Sequence, residues 1–126
     1  MVTLTFRDIV LLVCAEEFVN EWMSAPTTAQ LTVLHRQWLE RNRVGTYFDQ
    51  PIQNSSSTIT KCTSKLRDAG LMMIGVGRGD YMPTLAGQKF IAKLPLRYED
   101  YPLYIDVENG VAKWNQATKY SEDLYE

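Results

Sequence analysis

The sequence has few of the residues that build metal centres and disulfide frameworks. Its 126 residues include two cysteines, Cys14 and Cys62, and one histidine, His35. The cysteines are far apart, and neither belongs to a CxxC pair or lies near the histidine, so the sequence supports neither a zinc site nor a disulfide scaffold. We expect two buried thiols, no metal and no cofactor, with His35 at the edge of the core.

Catalytic signatures are missing as well. The sequence contains no GxSxG, P-loop or HExxH motif, and His35 has no evident nucleophile to serve. Because the sequence shows no set of residues for nucleophilic or metal-assisted catalysis, we expect that the protein is not an enzyme.

Long hydrophobic runs are also absent. The longest apolar stretch, residues 9–15, is far shorter than the roughly 20 residues that a membrane-spanning helix requires. No basic start leads into a small-residue cleavage site of the secretory type. The length suits a single domain, and we expect a soluble, cytoplasmic protein with no membrane partner.

Charge is almost balanced overall but unevenly distributed along the chain. The formal net charge is −2, to which residues 1–50 contribute −2, residues 51–97 contribute +5 and residues 98–126 contribute −5. Clustered Lys and Arg side chains supply the phosphate contacts that give most of the sequence-independent affinity for nucleic acid. The central segment is therefore the candidate for contact with nucleic acid, although a solvated basic surface would have the same composition.

The N-terminal part of the chain predicts an unusually apolar helix. Thr5 and Asp8 form a capping pair ahead of a helix over residues 5–24, which ends at the Ser-Ala-Pro sequence of residues 24–26. The middle of this helix is apolar nearly all the way round. One face should therefore pack within the domain, and another either against a partner or against the C-terminal segment.

A second helix is predicted to begin at Thr27, with Gln30 completing its cap, and to run to about residue 43. Residues 44–54 give a weaker pattern, because Pro51 would lie inside the short helix that they suggest.

The most informative stretch, residues 55–94, predicts a helix, a Gly-rich hairpin and a further helix that starts at Thr84. We place the first helix at residues 56–69 and the hairpin at residues 71–84. This order is typical of a winged helix-turn-helix, in which one helix enters a DNA groove and the hairpin contacts the backbone beside it.

The helix over residues 56–69 has two distinct faces. Ile59, Cys62, Leu66 and Ala69 form one apolar stripe that should face the core. Small hydroxyl groups and lysines occupy the rest, and such residues permit close approach to bases and phosphates. An arginine held between glycines at the hairpin tip is suited to a narrow minor groove. The DNA contacts predicted on this basis are Ser57, Thr60, Lys61, Ser64, Lys65 and Arg78.

Three motifs in this region resemble those of a known family. STITK at residues 57–61, KLRDAGL at 65–71 and TLAG at 84–87 follow the order and spacing of MarR-type winged-helix transcriptional regulators. The resemblance covers residues 27–94 and implies a homodimer that places two recognition helices in successive major grooves. It adds Ser56 to the expected DNA contacts and assigns Arg78 to the wing.

The resemblance also implies a possible effector site, because such regulators often bind small apolar molecules. Phe18, Trp22, Trp38 and Tyr47 are candidate lining residues, although aromatic residues at helical spacing are commonly core residues.

The end of the chain does not continue as the long apolar helix by which such regulators dimerise. Residues 103–107 alternate like a strand, Asn109-Gly110 is a strong hairpin turn and residues 111–114 provide a return strand. The sequence leaves open whether this hairpin packs on the wing, on a second subunit or over the N-terminal helix. We divide the chain into a winged-helix domain, residues 1–97, and an acidic extension, residues 98–126, packed on the domain or on a partner.

The expected fold is α+β and mostly helical: a winged helix-turn-helix with an N-terminal helix and a C-terminal β-hairpin or irregular acidic extension. The expected function is DNA-binding transcription regulation by a homodimer. The alternative is a winged-helix protein-interaction module, such as a phage or mobile-element inhibitor of a host nucleic-acid enzyme, in which the acidic part imitates nucleic acid.

Overall fold

The computed structural model describes residues 1–42, 56–75 and 80–119. Within these ranges the fold is α+β, with α-helices and small antiparallel sheets. The helices are α1 (Phe6–Trp22), α2 (Thr28–Arg41), α3 (Ser56–Asp68) and α4 (Leu85–Ala92), and the strands are β1 (Val2–Thr5), β2 (Met72–Ile74), β3 (Tyr81–Pro83), β4 (Pro102–Glu108), β5 (Val111–Ala112) and β6 (Thr118–Lys119). No helix in the described ranges is long and apolar enough to cross a membrane.

Helix α1 lies at the centre of the domain. The carboxylate of Asp8 accepts hydrogen bonds from the Thr5 backbone N–H at 2.9 Å and from the Thr5 hydroxyl at 3.0 Å, which fixes the start of the helix as the capping pattern predicts. The helix ends where Met23 adopts a left-handed conformation, with φ 56°. Residues 8–15 are all buried, because α2, α3, α4, β3 and β4 pack around this half of the helix. The predicted helix over residues 5–24 is confirmed to within two residues.

Helix α2 begins with the predicted capping box. The Thr27 hydroxyl accepts from the Gln30 N–H at 3.2 Å, and the Gln30 side-chain oxygen accepts from the Thr27 N–H at 2.9 Å. The helix buries Leu31, Trp38 and Leu39 against α1 and α3. Its observed end at Arg41 is two residues short of the prediction, and the predicted short helix at residues 44–54 lies outside the described residues.

Helix α3 ends in the conformation that its Gly-Leu sequence predicts. Gly70 has φ +80° and donates its N–H to the Arg67 carbonyl at 2.9 Å, while the Leu71 N–H donates to the Leu66 carbonyl at 2.9 Å. These two bonds form a Schellman motif, which satisfies the last carbonyls of the helix and turns the chain into β2. Leu71 is fully buried, so the residue that follows the cap packs in the core.

Strands β2 and β3 form the predicted antiparallel hairpin, with Met73 opposite Met82. The end of this hairpin nearer its tip also contacts the turn between α1 and α2. Thr27 and Asp80 form an antiparallel bridge, and the Tyr81 N–H donates to the Pro26 carbonyl at 3.0 Å. The α1–α2 turn therefore contributes a short third extended segment beside the hairpin.

The C-terminal segment forms part of the main sheet. Strand β4 pairs antiparallel with β1, with Leu4 opposite Ile105, and turns at Asn109 (φ 51°) and Gly110 (φ +81°) into β5. Ile105 and Val107 are buried in the core. The predicted strand, hairpin turn and return strand are confirmed, with the return strand limited to residues 111–112. On its other side β4 pairs with β1, a strand that no local pattern in the sequence predicts. The hairpin thus pairs with the N-terminus and packs beside α1.

A cluster of aromatic rings joins the start of α1 to α2 and to the C-terminal segment. The Phe6 ring lies 6.1 Å from Trp38, 6.4 Å from Tyr98 and 6.1 Å from Tyr101, measured between centroids. The Tyr98 hydroxyl donates a hydrogen bond to the Asn42 carbonyl at 2.9 Å. Phe6 and Trp38 are buried together with the aliphatic core, so residues 98–101 are integrated into the domain.

The β4–β5 turn packs tightly against the ends of two helices. The Gly110 N–H donates to the Ala69 carbonyl at 2.8 Å, just where α3 ends. A Cβ atom on Gly110 would lie 2.9 Å from the Cβ of Ala86 in α4. The turn therefore fits between α3 and α4 only because glycine occupies this position.

A second close approach involves Gly87 in α4, where an added Cβ would lie 2.1 Å from the Leu71 carbonyl oxygen. We expect Gly87→Ala to destabilise the domain by about 2 kcal/mol, because overlap with the backbone outweighs the gain of about 1 kcal/mol in helix propensity. Gln88, the exposed next residue of α4, provides a matched control. The free energy of unfolding of Gln88→Ala should stay within about 0.5 kcal/mol of the wild-type value. Urea unfolding followed by circular dichroism measures both, and a Gly87→Ala protein as stable as the wild type would contradict the close packing.

Candidate nucleic-acid interface

Helix α3 is anchored in the core by the apolar stripe that its sequence predicts. Ile59, Cys62, Leu66 and Ala69 are all buried. Thr63 is buried beside them, and its hydroxyl donates to the Thr60 carbonyl at 2.9 Å. This intrahelical bond allows a polar residue to widen the buried face.

The opposite face of α3 is exposed and polar. Ser57, Thr60, Lys61 and Ser64 are all exposed to solvent and lie on one side of the helix, as predicted. Toward the C-terminal end this face continues into Arg67 and Asp68, which are also exposed. Small side chains with one flexible cation leave the helix backbone accessible to a large partner such as a nucleic-acid groove.

Lys65 has a different environment from the one that its sequence position suggests. Its ammonium lies 2.5 Å from the carboxylate of Asp8, and its side chain is 39% exposed. The Asp8 side chain is only 2% exposed. Because a buried carboxylate requires a partner, Lys65 links α3 to the first turn of α1 instead of projecting freely from the exposed face.

The two remaining predicted contacts are Ser56 and Arg78. Ser56 is the first residue of α3, and its side chain is not among those described. Arg78 belongs to the hairpin tip, residues 76–79, which lies outside the described residues. On the described strand β2, Met73 and Ile74 are exposed, so the arm that leads to the tip presents apolar side chains to solvent.

Asp8 is recognisable in the sequence only as a helix cap, yet it connects two helices. In the sequence, Asp8 comes directly before the apolar run of residues 9–15. A carboxylate in this position is expected to be buried and therefore to need a partner. The partner, Lys65, lies 57 positions further along the chain. Which residue fills this role depends on how α1 and α3 cross.

His35 lies deeper than the predicted core edge, since it is fully buried. Its Nε2 atom lies 3.0 Å from the Arg7 carbonyl oxygen, an arrangement in which Nε2 carries the proton and donates. Burial lowers the pKa of His35 below its ordinary value of 6.5, while the Arg7 carbonyl and the charge of Asp8 act in the opposite direction. The ring therefore acts as a neutral bridge between α2 and the start of α1.

The two thiols are buried, as predicted. Desolvation by burial raises the pKa of both Cys14 and Cys62 to about 12. A thiol with such a pKa is almost entirely protonated near pH 7 and is a weak nucleophile and metal ligand. Within the described residues, no group of three or more His, Cys, Asp or Glu side chains is placed to hold a metal ion.

The candidate effector residues line a groove between α1 and α2. Phe18, Trp22 and Trp38 border a cavity of about 210 Å³, together with Cys14 and the charged side chains of Glu17, Glu21 and Arg41. Tyr47 lies outside the described residues. The groove brings the three aromatic residues together, but its rim is more strongly charged than an apolar effector site requires.

Comparison of the chain with protein-family models, with curated proteins and with solved structures finds no match in any of the three. The case for a function therefore depends on the geometry of the chain itself.

The contrast between Lys61 and Lys65 gives a test of their separate roles. Lys65→Met should destabilise the domain by about 1–3 kcal/mol, because it leaves the Asp8 carboxylate buried without a cation, with the Thr5 groups and the Cys62 thiol as its remaining described partners. Lys61→Met is the matched control on the same helix and should change the free energy of unfolding by less than about 0.5 kcal/mol. Urea titrations of both variants measure the difference, and equal stabilities would show that the Asp8–Lys65 contact contributes nothing.

His35 should make stability depend on pH. Its pKa is lowered in the folded state, so below about pH 6.5 the unfolded chain binds a proton that the native chain does not. The free energy of unfolding should accordingly be highest above this pH and fall by about 1 kcal/mol between pH 7.5 and 5.5.

His35→Gln provides the control, because the chain contains one histidine and the variant removes the group that titrates in this range. Urea unfolding at the two pH values should show a smaller change for the variant than for the wild type. A wild-type protein whose stability rises on acidification would refute the buried neutral imidazole.

Proposed function

We propose that the protein is a cytoplasmic DNA-binding regulator in which α3 is the recognition helix and the β2–β3 hairpin carries the wing. The observation that supports this most directly is the exposed face of α3. It presents Ser57, Thr60, Lys61 and Ser64 on a helix whose other face is fixed in the core. A rigid helix with small polar side chains on its outer face suits insertion into a major groove.

The order of the elements supports the same proposal. Helix α1 is followed by the extended segment at Thr27, then by α2, α3 and the β2–β3 hairpin, and Thr27 bridges to Asp80, just before β3. A three-part extended region beside a recognition helix is the arrangement of a winged helix. In this proposal residues 76–79 form the tip of the wing, and Arg78 reaches the flanking DNA.

The expected contacts divide by chemistry. Lys61 and Arg78 would bind phosphates or the minor groove, while Ser56, Ser57, Thr60 and Ser64 would donate to phosphate oxygens or base edges. Arg67 is exposed at the end of the same face and joins them as a possible phosphate contact. Lys65 is better assigned to positioning α3, because its ammonium already binds Asp8.

We further propose that the regulator is a homodimer. The described part of α3 exposes only two cations, Lys61 and Arg67, and one helix with so few phosphate contacts would bind DNA weakly. A second copy doubles these contacts and supplies the second recognition helix.

An apolar patch at the end of α1 and on α2 is available for that second copy. Phe18, Ala29, Val33 and Leu34, with Gln30 as the one polar side chain in the described lining, border an open depression of about 350 Å³. The Trp22 ring lies 6.3 Å from Phe18, measured between centroids, and is 62% exposed, and Met23, the next residue in the chain, is 85% exposed. Exposed apolar surface on this scale is typical of contact with another protein.

DNA binding can be tested with a fluorescein-labelled duplex of random sequence, titrated at several salt concentrations and followed by anisotropy. We expect a negative slope of log K against log salt, and Lys61→Ala should reduce its magnitude by about 1 for each phosphate that the variant no longer neutralises. Arg78→Ala should have a comparable effect through the wing. Lys113→Ala is the charge-matched control, since Lys113 follows β5 and pairs with Glu108 at 4.0 Å.

The same titrations include the outcome that would overturn the proposal. No binding even at about 50 mM salt, where electrostatic contacts are strongest, would exclude the regulator. Equal reductions of affinity in Lys61→Ala and Lys113→Ala would show that binding is a general effect of charge and not a property of α3.

The apolar patch also favours a second candidate, a protein-interaction module that docks on a target other than its own copy. The two candidates differ in what the patch binds. A Trp22→Glu variant that becomes monomeric and binds DNA more weakly would favour the regulator. A wild-type chain that is monomeric in sedimentation experiments, does not bind DNA and retains the exposed patch would favour the interaction module.

A further inference from the structure

A groove separate from the α3 face lies between α4 and the β4–β5 hairpin. Its volume is about 380 Å³, which falls within the range of roughly 300–1,000 Å³ found for small-molecule sites. Helix α4 forms one wall, and the turn with strand β5 forms the other.

The groove has an aromatic and aliphatic lining. Phe90 and Trp114 stack in its wall, with centroids 4.9 Å apart and ring planes inclined by 32°. Phe90 is buried, and Trp114 is half-buried and keeps part of its ring accessible. Leu85 and Val111 stand on the rim and are 67% and 69% exposed. A ligand with a flat apolar body would cover surface that is otherwise left in water.

Two cations face this apolar surface. Lys89 and Lys93 are one helical turn apart on α4, both are exposed and both line the groove. Neither lysine forms an ion pair within the part of the chain that the structure describes. No acidic residue is among the described lining side chains. The described lining of the groove therefore carries charge of one sign.

The walls of the groove are held in place before any ligand binds. Gly110 is fixed by its hydrogen bond to the Ala69 carbonyl at 2.8 Å and by its close contact with Ala86. Phe90 anchors the other wall in the core. A preformed site of this kind binds without the ordering cost of a mobile loop.

We propose that this groove is a binding site for an organic anion with an aromatic body. The accessible part of the Trp114 indole, with Leu85 and Val111 at the rim, would receive the flat part of the ligand. The ammonium groups of Lys89 and Lys93 would bind its carboxylate, sulfonate or phosphate. Metabolic aromatic acids and nucleoside monophosphates share this chemistry. The inference stands independently of DNA binding, because it uses none of the residues assigned to the α3 face.

The test uses matched pairs of probes on the full chain. 2-Naphthoate and its neutral counterpart 2-naphthamide represent aromatic acids, while adenosine monophosphate and adenosine represent nucleotides. Binding is followed by NMR through the indole N–H of Trp114, with the signals of Trp22 and Trp38 as internal references for contact elsewhere. At least one anion should shift the Trp114 signal saturably, and its neutral counterpart should bind more weakly.

The decisive variant is Lys89→Gln/Lys93→Gln, which should weaken binding of the anion about tenfold while leaving the neutral probe unchanged. Lys61→Gln/Arg67→Gln on α3 removes the same charge elsewhere and should have no effect. The proposal is overturned if neither anion moves the Trp114 signal, if the shifts appear mainly at Trp22 and Trp38, or if the α4 and α3 variants weaken binding equally. Stronger binding of the nucleotide pair would identify the phosphate source, and stronger binding of the naphthyl pair would identify the aromatic acid source.

Discussion

The arrangement of the helices depends on the contact between the buried carboxylate of Asp8 and the ammonium of Lys65. The carboxylate caps α1 through Thr5 and, from inside the core, binds the Lys65 ammonium at 2.5 Å. A buried carboxylate without a partner would be strongly destabilising, so α3 must present a cation at this point. Together with the buried apolar stripe of α3, this contact fixes the rotation of the helix about its own axis. The apolar stripe of α3 lies in the core and Asp8 holds Lys65 at the margin of the exposed face, so Ser57, Lys61 and Ser64 are directed to solvent.

The other end of α3 is fixed by a different kind of interaction. Its terminal carbonyls are satisfied by the Schellman motif at Gly70 and by the N–H of Gly110 from the distant β4–β5 turn. The pairing of β1 with β4 positions that turn beside α3. Segments from both terminal parts of the sequence therefore contribute to the support of this helix. A recognition helix must keep its side chains in register with a partner, and rigid support at both ends is what the proposed role of α3 requires.

Local sequence patterns are sufficient to predict most of the elements, and distant contacts account for the rest. The caps at Thr5, Thr27 and Thr84 and the stripe from Ile59 to Ala69 depend on neighbours within a few positions, and each appears where predicted. Strand β1 has only four residues, and its partner lies about 100 positions away, so no local pattern could reveal it. The role of Lys65 is hidden for the same reason. Helical periodicity places it at the margin between the two faces, and only the crossing of α1 and α3 decides which way it points.

The uneven charge of the sequence also acquires a different meaning in three dimensions. Among the described residues, the basic excess of residues 51–97 is divided between sites, because Lys65 binds the buried Asp8 carboxylate while Lys89 and Lys93 line the groove beside α4. Lys61 and Arg67 are the described cations that α3 leaves exposed. The acidic excess of the last segment is partly used within the fold as well, since Asp106 accepts a hydrogen bond from Thr3 and Glu108 approaches Lys113. Charge counted along the chain therefore overstates the field at any one site. Two copies of α3 acting together would restore the cationic surface that a single copy lacks, and for this reason the proposed DNA contact and the proposed dimer depend on each other.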